Sequence, residues 1–418
     1  MLRPRTLPGG TYPVRGTGGS RHFGSNASGR PTRLSRVVEN AARDPGIAAL
    51  GTWSGGRFMH FGEPLEEERL VSLLTPDADI DTVITADVYG AGDADRLLGR
   101  ALQGVARDSV CVIGAVGHDF YTGERAGAKG YPRFTDPALR APDSYGDYLA
   151  MATERSLERC GLERFDVLLL HNPDRIGYTS EAVWQGMAAV RERGLTRRIG
   201  VAPGPANGFT LDLIDCFERF APLIDWAMVI LNPLEPWPGE LALGAASAAG
   251  VSVIARVVDY GGVFHDDVAA GHQFRAGDHR SFRPPGWVEQ ARERIELMRP
   301  IAERNGLTML QLACAWDLAH EPVATVAPTL IQESGHGARP VEDKRAELAA
   351  LAHTRPLAPA DVALIRSIGD NTGCMALKGA VPDHNGADLP DRWALRNEHL
   401  AAAARWQIDP QRDLLATH

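Results

Sequence analysis

From residue 46 onward, compact apolar runs alternate with longer stretches in which apolar residues recur every three or four positions. The compact runs occupy 46–53, 81–89, 109–117, 165–172, 197–203, 225–232, 251–260 and 323–330. Several are continuous apolar segments of four to eight residues, the pattern of parallel strands covered on both faces. The intervening stretches read as helices. Over 144–162, Leu149, Ala152, Thr153, Ser156, Leu157 and Cys160 share one stripe at i, i+3, i+4 spacing. Ser144 with Asp147 three residues on resembles a capping start, and Gly161 a stop. Positions 183–193, ended by Gly194, and 242–249, ended by Gly250, repeat that design. Eight strands alternating with helices over about 300 residues predict an α/β fold, a (β/α)8 TIM barrel rather than a doubly wound sheet.

Three stretches exceed a minimal barrel. Segment 119–143 follows the third strand, and segment 264–287, with His265, His272 and His279, follows the seventh. Both leave strand C-termini, the rim where barrels carry out chemistry, so they read as long loops enclosing a substrate. The third is the tail. The chain divides into a basic, flexible arm over 1–40, a barrel over 45–357 and a C-terminal extension over 358–418 that packs on the barrel. Within the extension, 361–368 reads as a helix. The Gly-punctuated segment 369–380 is expected to fold across the mouth and bring Asn371, Cys374 or Lys378 near the site.

Composition narrows the possibilities. Of 418 residues, 44% are hydrophobic and 23% charged, which excludes wholesale disorder. No apolar run approaches the ~20 residues of a membrane helix, so no membrane partner is expected. The net charge of −9 is uneven: seven arginines precede residue 37, with no acid before Glu39. The remainder is therefore more acidic than the whole, which argues against nucleic-acid binding by the body of the protein. The arm has no apolar segment of a secretory signal. Five cysteines, with no C-x-x-C pair, give neither a disulfide framework nor a zinc module. They predict a reducing compartment, the cytoplasm. Composition says nothing about oligomeric state.

Chemistry in such a barrel rests on polar residues at strand ends. These are Asp87 and Tyr89, His118 and Asp119, His171 and Asn172, Asn232, and Arg256 with Asp259 and Tyr260. A His, a Tyr and an acid at one mouth suit proton transfer at a carbonyl or hydroxyl oxygen of a small molecule. His118, Asp119, His171 and Asp87 could also form a mixed N/O site for zinc or manganese. No compact metal motif supports this, so no metal ligand is assigned.

The segment Ala86-Asp87-Val88-Tyr89-Gly90-Ala91-Gly92, followed by Leu98-Gly99-Arg100-Ala101-Leu102, resembles a signature of the aldo-keto reductase superfamily. So does the passage from Ser156 through Phe165-Asp166 into Leu169-Leu170-His171-Asn172-Pro173-Asp174. Arg198-Ile199-Gly200-Val201 and Gly261-Gly262-Val263-Phe264 follow in the same order. The resemblance covers about 45–350 and implies a barrel in which a Tyr donates a proton while NADPH delivers hydride. In that family a Lys–Asp pair lowers the Tyr pKa, and a His orients the carbonyl. Tyr89 and His171 match the Tyr and the His, but Ile84 stands at the Asp position and Ala115 at the Lys position.

The departures continue in the nicotinamide pocket. The Ser-Asn that grips the carboxamide aligns with Ala202-Pro203, the Gln of strand six with Met228, and the ring-stacking Tyr of strand seven with Arg256. The phosphate-binding Gly-Ser/Thr of strand eight is replaced by Ala327-Pro328-Thr329. Gly261, Gly262, Lys344 and Glu347 match the remaining cofactor contacts, so NADP(H) is implied by resemblance while its nicotinamide pocket is not. Three readings stand open. The favoured one is acid–base chemistry (elimination, isomerisation or lyase cleavage) without hydride transfer. There Tyr89 and His171 form the acid–base pair, assisted by Asp87, His118 or Asp119, and Arg256 holds an oxyanion or carboxylate. The second is a divergent NADP-dependent reductase or dehydrogenase, with Lys378 or a strand-seven-loop histidine replacing missing groups. The third is a non-catalytic binding subunit.

Overall fold

The computed structural model describes residues 43–127 and 130–415; the basic arm expected at 1–40 lies outside the described residues. Each compact apolar run forms a strand: β1 Ala49–Gly51, β2 Thr82–Ile84, β3 Cys111–Val116, β4 Phe165–His171, β5 Thr196–Ala202, β6 Trp226–Ile230, β7 Ser252–Arg256 and β8 Val323–Ala327. They pair in parallel in sequence order. The ring is drawn together by a parallel bridge between Ala48 and Val326, with the Val326 N–H donating to the Ile47 carbonyl at 2.9 Å. The fold is thus a (β/α)8 barrel.

Strand side chains alternate between two apolar layers, as barrel closure requires. Ile84, Ile113, Val167, Leu169, Trp226, Met228 and Ile254 fill the interior. Val83, Val112, Leu168, Leu170, Val201 and Val253 face the helices. Gly114 marks a tight point, since a Cβ there would lie 2.6 Å from the Phe165 ring. The helix predicted at 144–162 spans Tyr145–Cys160 and stops at Gly161, whose φ of 68° is left-handed. The helices predicted at 183–193 and 242–249 span Glu181–Glu192 and Leu243–Ala249.

Most predicted strands run past the ladders at their C-terminal ends; the overhang carries Asp87, Tyr89, Asn172, Asn232 and Asp259, while His171 and Arg256 are the last ladder residues of β4 and β7. Tyr89 is the clearest difference: it opens the 3-10 turn Tyr89–Gly92 rather than ending β2. Physically, a ladder stops where neighbouring strands splay at the rim, while the apolar pattern continues because the loop base is also buried.

The extension contributes the helix Pro359–Ile368, a parallel pair β9 Gly379–Val381 and β10 Arg392–Ala394, and the helix Asn397–Arg405. It is fastened to the helix Thr210–Phe220 through buried Asp212. That carboxylate accepts from the Ala380 N–H at 2.8 Å and the Trp393 indole N–H at 2.7 Å, with His399 Nε2 at 3.2 Å. The Arg396 N–H donates to His399 Nδ1 at 3.1 Å, and Asp212 draws the His399 pKa up against the effect of burial.

Candidate active site

The loops after β2 and β3 and the last residues of β4 and β7 bring three rings and one guanidinium to the C-terminal mouth. Tyr89 packs on the apolar barrel interior. Its ring stands edge-on to His171 with centroids 5.7 Å apart, and His171 is edge-on to His118 at 5.4 Å. Neither the Tyr89 hydroxyl nor either nitrogen of His171 has a hydrogen-bond partner among the described residues. Free polar atoms beside one another at the end of an apolar barrel are what a site for a reacting oxygen requires.

His118 is held differently. The Asn172 amide nitrogen lies 3.0 Å from its Nε2, so the ring accepts there and donates Nδ1–H to the Tyr131 carbonyl at 3.0 Å. Arg133 NH1 lies 3.1 Å from the same Nδ1. Burial and this cation push the His118 pKa down to about 3. His118 is a neutral, immobilised support for His171 rather than an exchanging acid.

Electrostatics give the other two rings distinct roles. Burial raises the Tyr89 pKa, and the Arg256 guanidinium pulls against that rise. Burial lowers the His171 pKa well below the usual imidazole range, with His118, Arg133 and Arg256 adding to the effect. At neutral pH the mouth therefore presents a phenol with its proton and an imidazole without a second one. Arg256 extends from β7 across the end of β6 and donates through NH2 to the carbonyls of Pro203, at 3.1 Å, and Gly204. Its buried Nε–H has no acceptor.

Asp87 is turned away from this group. It is fully buried, and Tyr121 donates to it at 3.4 Å. Burial and neighbouring Asp95 push its pKa well above the usual carboxylate range, against the pull of Arg159. It sits in a polar cluster against the helices Asp93–Ala101 and Tyr145–Cys160, where Asp95 accepts from Thr85, Ser156 and Arg159 at 2.9, 2.8 and 3.1 Å. Asp119 ties its own loop together, accepting from the Thr122 hydroxyl at 2.6 Å and from Arg140. The mixed metal site considered from the sequence is therefore dispersed. Among the described residues no three His, Cys, Asp or Glu side chains gather as metal ligands.

Of the tail residues, buried Asn371 is bonded to the Trp237 backbone, at 3.0 Å to its N–H and 2.8 Å to its carbonyl. Lys378 pairs with Asp391 at 2.9 Å, and its backbone bridges Gly208 beside β5. Cys374 is exposed. Sequence reasoning missed Arg133, whose place in a Gly/Pro-rich loop carries no pattern that announces it.

The aldo/keto reductase family model matches residues 49–366. The chain belongs to that family. Among curated relatives, a probable voltage-gated potassium channel subunit beta of Arabidopsis thaliana is 23% identical over 297 residues, 68% of this chain and 85% of the relative. Versiconal hemiacetal acetate reductase of Aspergillus parasiticus is 24% identical over 313 residues, 63% of this chain and 80% of the relative. Among solved structures, a glycerol dehydrogenase from Gluconobacter oxydans superposes with TM-score 0.60 at 22% identity, covering 79% of this chain and 94% of the other. These structural likenesses establish the fold.

Aldo-keto reductase members place NADP(H) along the ends of β5–β8, and the residues of this chain at those positions do not fit it. The Arg256 side chain crosses the end of β6 toward the β5 carbonyls, beside the positions assigned to the nicotinamide. Asp259 accepts from the backbone N–H groups of Gly262, at 2.8 Å, and Thr329, at 2.7 Å, so these donors are already engaged. Arg280 donates to the Gly261 carbonyl at 3.2 Å, to both oxygens of Asp278 at 2.9 and 2.7 Å, and to Glu333. A Cβ on Gly262 would lie 3.2 Å from a Glu333 oxygen. Lys344 is buried between Asp267 and the Ile331 carbonyl, each at 2.6 Å, and Glu347 is paired with Arg339. A pyrophosphate entering here would meet Asp259, Asp278 and Glu333, with Arg280 and Lys344 already neutralised.

Proposed function

We propose that this aldo-keto reductase family enzyme performs acid–base chemistry at a carbonyl or hydroxyl carbon of a small molecule, without transferring hydride. The carrying observation is the pairing of the unbonded Tyr89 hydroxyl with unbonded, neutral His171 beside Arg256. Tyr89, kept protonated by burial, donates to the carbonyl oxygen of the substrate. His171 removes a proton from the adjacent carbon, and the Arg256 guanidinium stabilises the negative charge developing on oxygen. In an isomerisation, His171 returns the proton to a neighbouring carbon and Tyr89 recovers its own as the carbonyl re-forms. In an elimination, the enol collapses, the carbon–leaving-group bond breaks, the leaving group departs with the proton held by His171, and Tyr89 recovers its proton. Electrons stay within the substrate, so no redox partner is needed.

The filled positions of Gly261, Gly262, Lys344 and Glu347 support the same reading. So does the charge set around Tyr89, in which Arg256 is the cation acting on the phenol. Two lost carboxamide hydrogen bonds and one stacking contact, at ~1 kcal/mol each, weaken nicotinamide binding by about two orders of magnitude.

The test is an NADPH titration combined with turnover of hydroxy-carbonyl substrates followed by NMR. Expected are weak NADPH binding and product formation with a flat reduced-nicotinamide absorbance band. A second reading, a divergent NADP-dependent reductase, is favoured by the name of the Aspergillus relative. Tight stoichiometric NADPH binding with substrate-dependent oxidation would establish that reading instead.

A further inference from the structure

Two guanidinium groups reach the mouth, and among the described residues neither forms an ion pair with a carboxylate. Arg256 is bonded only to the backbone carbonyls of Pro203 and Gly204, and its buried Nε–H is unsatisfied. Arg133 donates through Nε to the Asn172 carbonyl and sets NH1 against the His118 ring, with Asp174 and Asp391 acting on it only from beyond ion-pair distance. Elsewhere in the barrel, buried arginines are neutralised: Arg280 sits between Asp278 and Glu333, and Arg159 is paired with Asp95. A buried cation without an anion is costly, and a site that retains one is complete when a ligand brings the charge. The planar guanidinium fork matches planar carboxylate oxygens, and Arg is favoured over Lys wherever such recognition matters.

We infer that the mouth recognises a carboxylate on the substrate, held by Arg256 with Arg133 behind it, next to the carbon on which Tyr89 and His171 act. The substrate class is a small oxo or hydroxy carboxylic acid; this rests on the acid–base reading of Tyr89 and His171. The arrangement has a built-in consequence. Arg133 and Arg256 are two of the charges that keep His171 from protonating. A bound carboxylate offsets them, so His171 becomes more basic only when substrate is present.

Calorimetric titration of the full chain with pyruvate, its neutral amide pyruvamide, phosphate and sulfate tests the inference. Pyruvate is expected to bind at least ~10-fold more tightly than pyruvamide, the weight of one charge-assisted hydrogen bond. Arg256→Gln and Arg133→Gln should each remove that preference, and exposed Arg412→Gln should not. The His171 ring, followed by NMR, should titrate at higher pH with pyruvate bound than without. Equal affinity for pyruvate and pyruvamide, or no saturable binding of pyruvate at tens of millimolar, overturns the inference. Tighter binding of phosphate or sulfate overturns the carboxylate assignment. The wild-type comparison decides the matter even if an arginine variant fails to fold. Should pyruvate binding depend on Arg256 while Tyr89→Phe leaves turnover intact, the acid–base reading fails and the carboxylate site stands.

Discussion

Replacing Arg280 with Met removes a cation that is 1% exposed and leaves Asp278 and Glu333, each also 1% exposed, without their main partner. Breaking a buried pair from one side costs ~3–5 kcal/mol. Asp278 keeps backbone N–H bonds from Gly62 and residue 280, both at 2.8 Å, so its share is small. Glu333 keeps His272 Nε2 at 3.3 Å and the more distant charge of buried Lys344, and carries most of the loss. A total of about 3–4 kcal/mol is expected; at about 2 cal/mol/K of unfolding entropy per residue this lowers Tm by roughly 4–5 °C. The pH dependence follows from the charges. Arg280 and backbone N–H groups hold the Asp278 pKa below its ordinary value against the effect of burial. The wild-type contribution is therefore present above the unfolded carboxylate pKa of about 4 and disappears as pH falls through the folded value. In Arg280→Met the stranded carboxylates titrate upward, so the variant recovers as pH falls and the Tm gap narrows. Scanning calorimetry between pH 7 and pH 4 measures both effects. A gap below about 1 °C at pH 7, or one that does not change with pH, would refute the argument.

Tyr89→Phe and His171→Gln should each lower kcat by at least ~100-fold with little change in Tm, measured by product NMR and calorimetry. The pH–rate profile should be flat from near neutrality past the ordinary phenol pKa of about 10, because Tyr89 is held up and its proton is retained. Its acid limb in kcat/KM, which reports the free enzyme, should fall well below the usual imidazole range, because His171 is held down and stays neutral there; in kcat the limb should lie higher, with the substrate carboxylate bound. Deleting the chain after Gly369 should lower Tm sharply: Asp212 would lose the Ala380 and Trp393 donors, at ~1.5–3 kcal/mol for each hydrogen bond to a charged group, and the neighbouring His399 ring. A truncated protein that melts like the full chain but has lost turnover would contradict that brace.

The barrel was legible because eight buried strands leave eight apolar runs, and Gly161, Gly194 and Gly250 punctuate the helices between them. The place of Tyr89 and His171 at the mouth was legible because polar residues end those runs and the segments around them resemble the family's signature; a strand-end Tyr alone would as readily pack into the wall. What the pattern could not carry was direction. Asp87 is two residues from Tyr89, yet its carboxyl turns outward to Tyr121 and Asp95, since neighbours two apart in a turn need not share a face. Arg133 was invisible for the opposite reason. Its position comes from a long loop closed by Asp119 and Arg140, contacts that no local periodicity encodes. For the tail, 369–380 reads as a cover for the mouth; Asn371 secures Trp237 in the loop after β6, and the Lys378 backbone bridges Gly208 in the loop after β5.

The Arg280 cluster also determines how the rim responds to its surroundings. A rim completed by a diffusible ligand is stabilised only in proportion to ligand supply, and its melting temperature follows concentration by mass action. Here the completing charges are tethered to the chain, so their local concentration is set by loop geometry and cannot be diluted. The Asp278–Arg280–Glu333 set behaves as a resident counterion pair that dialysis does not remove. Any nucleotide arriving at Gly261 and Gly262 would have to evict a neighbour that never leaves.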